Sequence, residues 1–345
     1  MPEPVHVSPP LPALAPVSYD PELVAGLAAF LDAVEQLPLR ADTILANRAH
    51  FASLVPPVEQ QLGDRPIDVE HVMAPGPAGA PDIELTVLRP RSGTGSSAGT
   101  GTGTPVPGLY LIHGGGMVLG NRHFGVSDAF DLVEEHGVVA VSVEYRLAPE
   151  HPHPAPVEDC YAGLLWFAAA ASRLGVDPDR IMVWGASAGG GLSAAVALLA
   201  RDRRGPALAG QLLGCPMIDD RNNTVSSHQY NGIGAWDRSN NHTGWSALLG
   251  DERGRAGVSP YAAPARAIDL AGLPPAYIEV GAAEVFRDEA VDYASRLWAA
   301  GSQAELHVWA GGYHGFSTFS PDAVVSRAAN AARATWLQRT LRLLR

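Results

Sequence analysis

Ser187 stands in Gly185-Ala186-Ser187-Ala188-Gly189, a serine with only small residues on either side. A G-x-S-x-G run lets a strand turn sharply into a helix and leaves the serine hydroxyl exposed at the turn, where it can attack an acyl carbon. The neighbours must be small so that chain and side chain do not collide. The same pattern recurs at Gly95-Ser96-Ser97-Ala98-Gly99, so the pattern alone decides nothing. Context separates the two. Ser97 lies in a Gly/Ser/Thr-rich stretch with no strand before it and no helix after it. Ser187 follows Ile181-Met182-Val183-Trp184 and opens a helical run through Leu192, Val196 and Leu199. Ser187 is the expected nucleophile.

A serine hydroxyl needs a base to take its proton, most often histidine. The chain has 12 histidines. Where a strand-to-helix elbow carries the serine, the acid and then the base follow it along the chain. Only His307 and His314 come late enough. His307 falls inside a strand and would point sideways from the sheet. His314, in Gly311-Gly312-Tyr313-His314-Gly315-Phe316, lies in a loop beyond that strand and is the expected base. The acid should sit just past the preceding strand, where Glu284 and Asp288 compete. Asp288-Glu289 reads as a helix N-terminus, a place acids commonly occupy, so Glu284 is preferred.

His113-Gly114-Gly115-Gly116 supplies the remaining chemistry. Three successive glycines carry an entropic cost and need a reason. Backbone N–H groups of Gly114, Gly115 and Gly116 could approach a substrate oxygen with no side chain in the way, joined by the N–H of Ala188 after the nucleophile. Such donors stabilise the oxyanion of a tetrahedral intermediate.

These residues need a scaffold of short strands alternating with helices. Strands are expected at residues 83–88, 109–112, 138–143, 181–184, 211–213, 276–280 and 305–309. Helices are expected at 155–174, 189–201 and 323–344. That alternation predicts an α/β fold with a mostly parallel sheet covered on both faces. Upstream, residues 1–18 read as a flexible arm. Asp20-Pro21-Glu22 reads as a helix start, and a second helical stretch reaches about Leu54. Residues 92–104 are low in complexity and read as an exposed loop. Between the strands near Gly214 and Ala276 lie about 60 residues, where a crossover needs roughly a dozen. Part of that segment, with Tyr230, Trp236 and Trp245, is an expected insertion over the site. The division is therefore 1–55, arm and cap helices; 56–216, first part of the core; 217–259, cap insertion; and 260–345, second part of the core.

Composition removes other classes. With 46% apolar and 17% charged residues the chain is globular. A net charge of −12 disfavours nucleic acid as a partner. No apolar stretch is long enough to span a bilayer, and the N-terminus lacks the pattern of a secretory signal. The cytoplasm is the expected location, with Cys160 and Cys215 as two buried free thiols.

Together the motifs resemble the hormone-sensitive lipase family of α/β-hydrolase esterases, in its bacterial branch. The resemblance is carried by His113-Gly114-Gly115-Gly116, by Tyr145-Arg146-Leu147-Ala148-Pro149-Glu150 with His151-Pro152-His153-Pro154-Ala155, by Gly185 to Gly190, by Glu284 to Glu289 and by His314-Gly315-Phe316. It extends from about Ile83 to the C-terminus. The chain departs from the family's usual pattern in having Glu284 where Asp is common and Ala186 where Asp or Thr is common. The resemblance implies an α/β-hydrolase fold with a helical cap, hydrolysis of small, short-acyl carboxylic esters through an acyl-enzyme, and neither cofactor nor metal. His151 and His153 then belong to a structural turn. A lactonase or an amide or carbamate hydrolase would use the same groups. A ligand-binding receptor on this scaffold would lack the histidine that His314 supplies. Oligomeric state is open, with a homodimer as the alternative to a monomer.

Overall fold

The computed structural model describes residues 14–34, 38–91 and 104–343. Most of the expected arm, the loop at 92–103 with Ser97, and the last two residues lie outside this range.

Eight strands form one sheet: β1 (Ile67–Ala74), β2 (Ile83–Pro90), β3 (Val106–Ile112), β4 (Val139–Val143), β5 (Val176–Ala186), β6 (Gly210–Gly214), β7 (Ala276–Gly281) and β8 (Ala304–Trp309). Their order is β1-β2-β4-β3-β5-β6-β7-β8. β2 runs antiparallel to both β1 and β4, and every other pair is parallel. β4, Val-Ala-Val-Ser-Val, is buried at every position. A strand covered on both faces reads as a continuous apolar run rather than an alternation.

The helices are α1 (Val24–Val34), α2 (Ile44–Leu54), α3 (Val58–Leu62), α4 (Phe130–His136), α5 (Ala155–Leu174), α6 (Ala188–Asp202), α7 (Val225–Gln229), α8 (Arg238–Leu249), α9 (Arg287–Ala299), α10 (Phe316–Phe319) and α11 (Val324–Thr340). α5 has the bounds expected from sequence. It ends at Gly175, whose φ of 70° places it in the left-handed region glycine tolerates. α6 is buried along nearly its whole length because its face is built of Gly, Ala, Leu and Val. That lets it lie close on β5 and hold the turn before it. None of the described helices is long and apolar enough to cross a membrane.

Several features differ from the sequence expectation, among them that β3 begins at Val106 rather than 109. β1 is absent from the expected strands, because this outer strand is only partly buried between its ends and carries Asp68, Glu70 and His71. β5 begins five residues early, across the polar Asp177-Pro178-Asp179-Arg180. α11 stops at Thr340 rather than 344. Cys160 is a buried free thiol as expected, but Cys215 is only half buried.

Segments from outside the sheet close over the carboxyl ends of its strands. Thr243 of α8 donates to Leu39 O at 3.2 Å, Tyr230 donates to Val17 O at 2.8 Å, and Gln229 donates to Ala15 O at 2.7 Å. The N-terminal segments on either side of α1 and the long insertion therefore hold each other.

Candidate active site

β5 ends at Ala186 and α6 begins at Ala188, so Ser187 alone makes the turn between them. Its φ of 58° and ψ of −124° are costly for a residue with a side chain. The surroundings enforce them. Ser187 N–H donates to Gly214 O of β6 at 2.8 Å, while Ser187 O accepts from Gly191 and Met217, each at 3.0 Å. The crossing is also too tight for side chains. A Cβ on Gly185 would lie 2.2 Å from Gly189 O, and one on Gly189 would lie 2.0 Å from Ile112 O.

Glu284 and His314 follow the ends of β7 and β8, one and two strands beyond β6, the neighbour of β5. Ala282 N–H donates to Trp309 O at 2.8 Å and Ala283 N–H to Gly312 O at 2.9 Å, which ties the two loops together. His314 Nε2 lies 3.0 Å from Ser187 Oγ, and His314 Nδ1 lies 2.7 Å from Glu284 Oε2. The other carboxylate oxygen accepts from Gly281 N–H at 3.3 Å. Phe286 packs edge-on against the imidazole at 5.2 Å. Burial disfavours the charged ring, but the Cys215 sulfur and the Glu284 carboxylate outweigh it and hold His314 well above the ordinary histidine range. Asp288 points elsewhere: it accepts from Ser226 N–H at 2.7 Å and pairs with Arg287 at 2.8 Å. His307 stacks on Trp309 at the outer strand, away from Ser187.

The glycine loop packs against the elbow. A Cβ on Gly114 would lie 3.4 Å from Ser187 Cβ, and Gly115 adopts φ 114°. None of the N–H groups of Gly114, Gly115 or Gly116 donates to a backbone acceptor among the described residues. Ala188, first in its helix, also has a free N–H by position. Gly114 and Gly115 line the cavity with Ser187. Gly116 faces Trp236, whose ring leaves no room for a Cβ. His113 fixes the loop from behind. Its Nδ1 lies 2.8 Å from Gly114 O, so that nitrogen carries the proton and donates. The ring stacks on Tyr145 at 4.1 Å, and burial lowers its pKa to about 4.

Above Ser187 and His314 is a cavity of about 1070 Å³. Leu27, Phe30, Leu31 and Val34 of α1, Phe51 of α2 and Trp236 of the insertion give it apolar lining, and Asp237, Arg238 and His242 line it as well. Sequence reasoning did not pick out Cys215, although it is the first residue past β6, the kind of position where open α/β sheets place functional groups. A donor atom of Cys215 lies within 4.8 Å of those of Glu284 and His314.

Residues 109–318 match the Abhydrolase_3 family, whose description is an α/β-hydrolase fold. The chain is 38% identical over 232 residues to the carboxylesterase NlhH of Mycobacterium tuberculosis, a match covering 66% of this chain and 70% of that one. It is 36% identical over 282 residues to the carboxylic ester hydrolase LipN of the same organism, covering 80% and 70%. Among solved structures, a bacterial heroin esterase superposes with a TM-score of 0.83 at 37% identity, covering 94% of this chain and 98% of that one.

Proposed function

Because the chain belongs to the Abhydrolase_3 family of α/β hydrolases, of the hormone-sensitive-lipase type, we propose that Ser187 is its nucleophile, His314 its general base and Glu284 the carboxylate that orients the base. The protein is a serine carboxylesterase. The observation that carries the residue assignment is the continuous path from Glu284 through His314 to Ser187, 2.7 Å and then 3.0 Å, at the floor of the cavity.

The reaction follows from that path. Ser187 Oγ attacks the ester carbonyl carbon while His314 Nε2 takes its proton. The carbonyl oxygen becomes an oxyanion, held by N–H groups of the Gly114–Gly116 loop and Ala188. Within the loop, Gly114 and Gly115 are better placed than Gly116, since they face the cavity. Glu284 stabilises the imidazolium without taking its proton. His314 then gives the proton to the departing alkoxide, which leaves as alcohol, and an acyl-Ser187 ester remains. Water, deprotonated by His314, attacks that ester. As the acyl–Oγ bond breaks, His314 returns the proton to Ser187 Oγ and the carboxylic acid is released.

The substrate is a small carboxylic ester with a short acyl group, its apolar part against Phe30, Phe51 and Trp236. Cavities of several hundred to about 1,000 Å³ commonly hold small molecules. The N-terminal helices and the 217–259 insertion act as a cap, supported by their share of the cavity wall and by hydrogen bonds from the insertion to the segments flanking α1. Two free thiols support a reducing, cytoplasmic setting. The open edge of β8 offers ladder groups to a second copy in a homodimer.

The test pairs rates on p-nitrophenyl esters of increasing acyl length with labelling by a fluorophosphonate. Wild type should hydrolyse short esters and carry one adduct, mapped by mass spectrometry to Ser187. Ser187→Ala should lose nearly all activity and the adduct while keeping its circular dichroism. An adduct elsewhere, or an active Ser187→Ala, refutes the assignment.

A further inference from the structure

The strand order β5-β6-β7-β8 brings a fourth group to the site. Cys215 is the first residue past β6, the strand lying between those that lead to Ser187 and Glu284. Its N–H donates to Glu279 O at 2.6 Å and its φ is 34°, so its backbone is pinned. A thiol, a carboxylate and an imidazole thus converge, with donor atoms of Cys215, Glu284 and His314 all within 4.8 Å of one another. Among the described residues, this is the only group of three or more His, Cys, Asp or Glu side chains set closely enough to share a cation. Cys215 is half buried and shares the cavity wall with Ser187 and His314, so the cavity gives access to it.

We propose that Cys215, Glu284 and His314 form an inhibitory site for a thiophilic divalent cation of the zinc class. The proposal rests on the reading of His314 as the base. Thiolate, imidazole and carboxylate are the three donor types zinc takes, and three protein donors leave its fourth tetrahedral position open to the cavity. Bonds of about 2.0–2.3 Å put two donors on one zinc roughly 3.3–3.8 Å apart. The Cys215 sulfur needs to close on the other two donors by no more than about an ångström, within the reach of a rotation about its χ1, while the 2.7 Å Glu284–His314 pair opens by about half an ångström or more to admit the ion. Magnesium and calcium prefer shells of oxygen and find no such shell here. On binding, the Cys215 thiol releases its proton to solvent and a sulfur–metal bond forms; the protonated His314 ring also gives one N–H proton to solvent, and the freed lone pair makes a nitrogen–metal bond. No electrons are exchanged. The metal and the Ser187 proton cannot both have the imidazole, so hydrolysis stops with the nucleophile chemically intact.

The experiment uses the full chain, stripped with a chelator and then titrated with zinc chloride. Each variant is compared with its own metal-free rate on p-nitrophenyl acetate. Wild type is expected to lose at least about tenfold in rate, to recover in excess EDTA and to ignore magnesium. Cys215→Ala, and the nearly isosteric Cys215→Ser, should move the zinc midpoint upward by about 10–100-fold or more, the scale on which metal sites respond to lost support. Cobalt(II) gives a readout independent of catalysis. Wild type and Ser187→Ala should both develop a thiolate-to-cobalt charge-transfer band that the Cys215 variants lack. Equal zinc inhibition with and without the thiol, inhibition by magnesium as strong as by zinc, or cobalt bound without a thiolate band overturns the proposal. A chain that shows the cobalt band but hydrolyses no ester supports the metal site and overturns the reading of the reaction.

Discussion

Glu284 Oε2 lies 2.7 Å from His314 Nδ1, whereas Asp288, one helical turn further along the chain, accepts the N–H of Ser226 instead. Two carboxylates close in sequence are thus given separate tasks by the start of α9. One contacts the imidazole and the other holds the insertion. Glu284→Gln keeps the shape of the side chain but removes the charge that fixes the imidazole tautomer and steadies the imidazolium. It is expected to lower kcat by about three to four orders of magnitude, the scale seen when a triad acid becomes an amide. Asp288→Asn should cost less than about tenfold, since it touches no reacting atom. Steady-state kinetics of the two variants, side by side, check the ranking. The opposite order would transfer the acid's role to Asp288.

The elbow depends on close approach of main chains. Gly189→Ala would place a methyl group 2.0 Å from Ile112 O, and the obstacle is backbone that cannot swing aside. Destabilisation at or beyond the upper end of about 1–3 kcal/mol is expected, the cost of overpacking a tight site. Gly257→Ala meets nothing within 4 Å and should be neutral or stabilising by up to about 1 kcal/mol. Urea unfolding of both variants measures this. A Gly189→Ala protein as stable as wild type would mean that β3 and α6 can separate without cost.

What is legible in the chain divides along physical lines. Ser187 and His314 are legible because each sits in a short run constrained by local sterics, small residues at a turn or glycines after a strand; Glu284 is legible only by its place just past a strand, with Asp288 as its competitor. The parallel core is legible because strands buried on both faces, such as β4, are apolar throughout. β1 is not, because an outer strand carries charge on faces that meet water and so loses its pattern. The approach of Cys215 to His314 is not legible either. It depends on β6 lying between β5 and β7, a matter of strand order, and nothing in Leu213-Gly214-Cys215 encodes that order. Within the glycine loop, residue type cannot separate Gly115, on the cavity, from Gly116, against Trp236. That depends on how the insertion packs.

The pH dependence of hydrolysis follows from the His314 environment. The base must be neutral to accept the Ser187 proton, so activity rises as pH passes upward through the pKa of the ring. An ordinary histidine would put that rise near ~6.5. The Cys215 sulfur and the Glu284 carboxylate hold the ring well above that, against burial. The rising limb of kcat/KM for the free enzyme should therefore lie above ~6.5, on the neutral-to-alkaline side. Glu284→Gln, in whatever activity it retains, should move that limb downward. A limb that stays in place in the variant would mean that Glu284 does not govern the ionisation.

His113 gives a prediction of opposite sign, for stability rather than rate. Its ring is buried against Tyr145, and its pKa is lowered from the ordinary 6.5 to about 4. The folded chain keeps it neutral as the Nδ1–H donor to Gly114 O, while the unfolded chain protonates it near ~6.5. Unfolding between these values takes up a proton, so folding is favoured above ~6.5 and the advantage is lost as pH falls toward 4. The His113 contribution is about 3 kcal/mol at most, since each tenfold change in proton affinity is worth about 1.4 kcal/mol. His314, raised rather than lowered, acts above ~6.5. His123, His153 and His242, lowered by burial, and Glu289, raised by burial, share the window, so the His113 part is read from the difference between wild type and His113→Gln. Urea unfolding at steps from about pH 6.5 to 5 should show wild-type stability falling, with a shallower slope in His113→Gln. Should that variant fail to fold, the imidazole carbon shifts of wild-type His113 decide the matter. They should stay those of a neutral Nδ1–H ring throughout that range. A ring that titrates near ~6.5 in the folded protein would show that the loop behind Ser187 is open to water and is not held by His113.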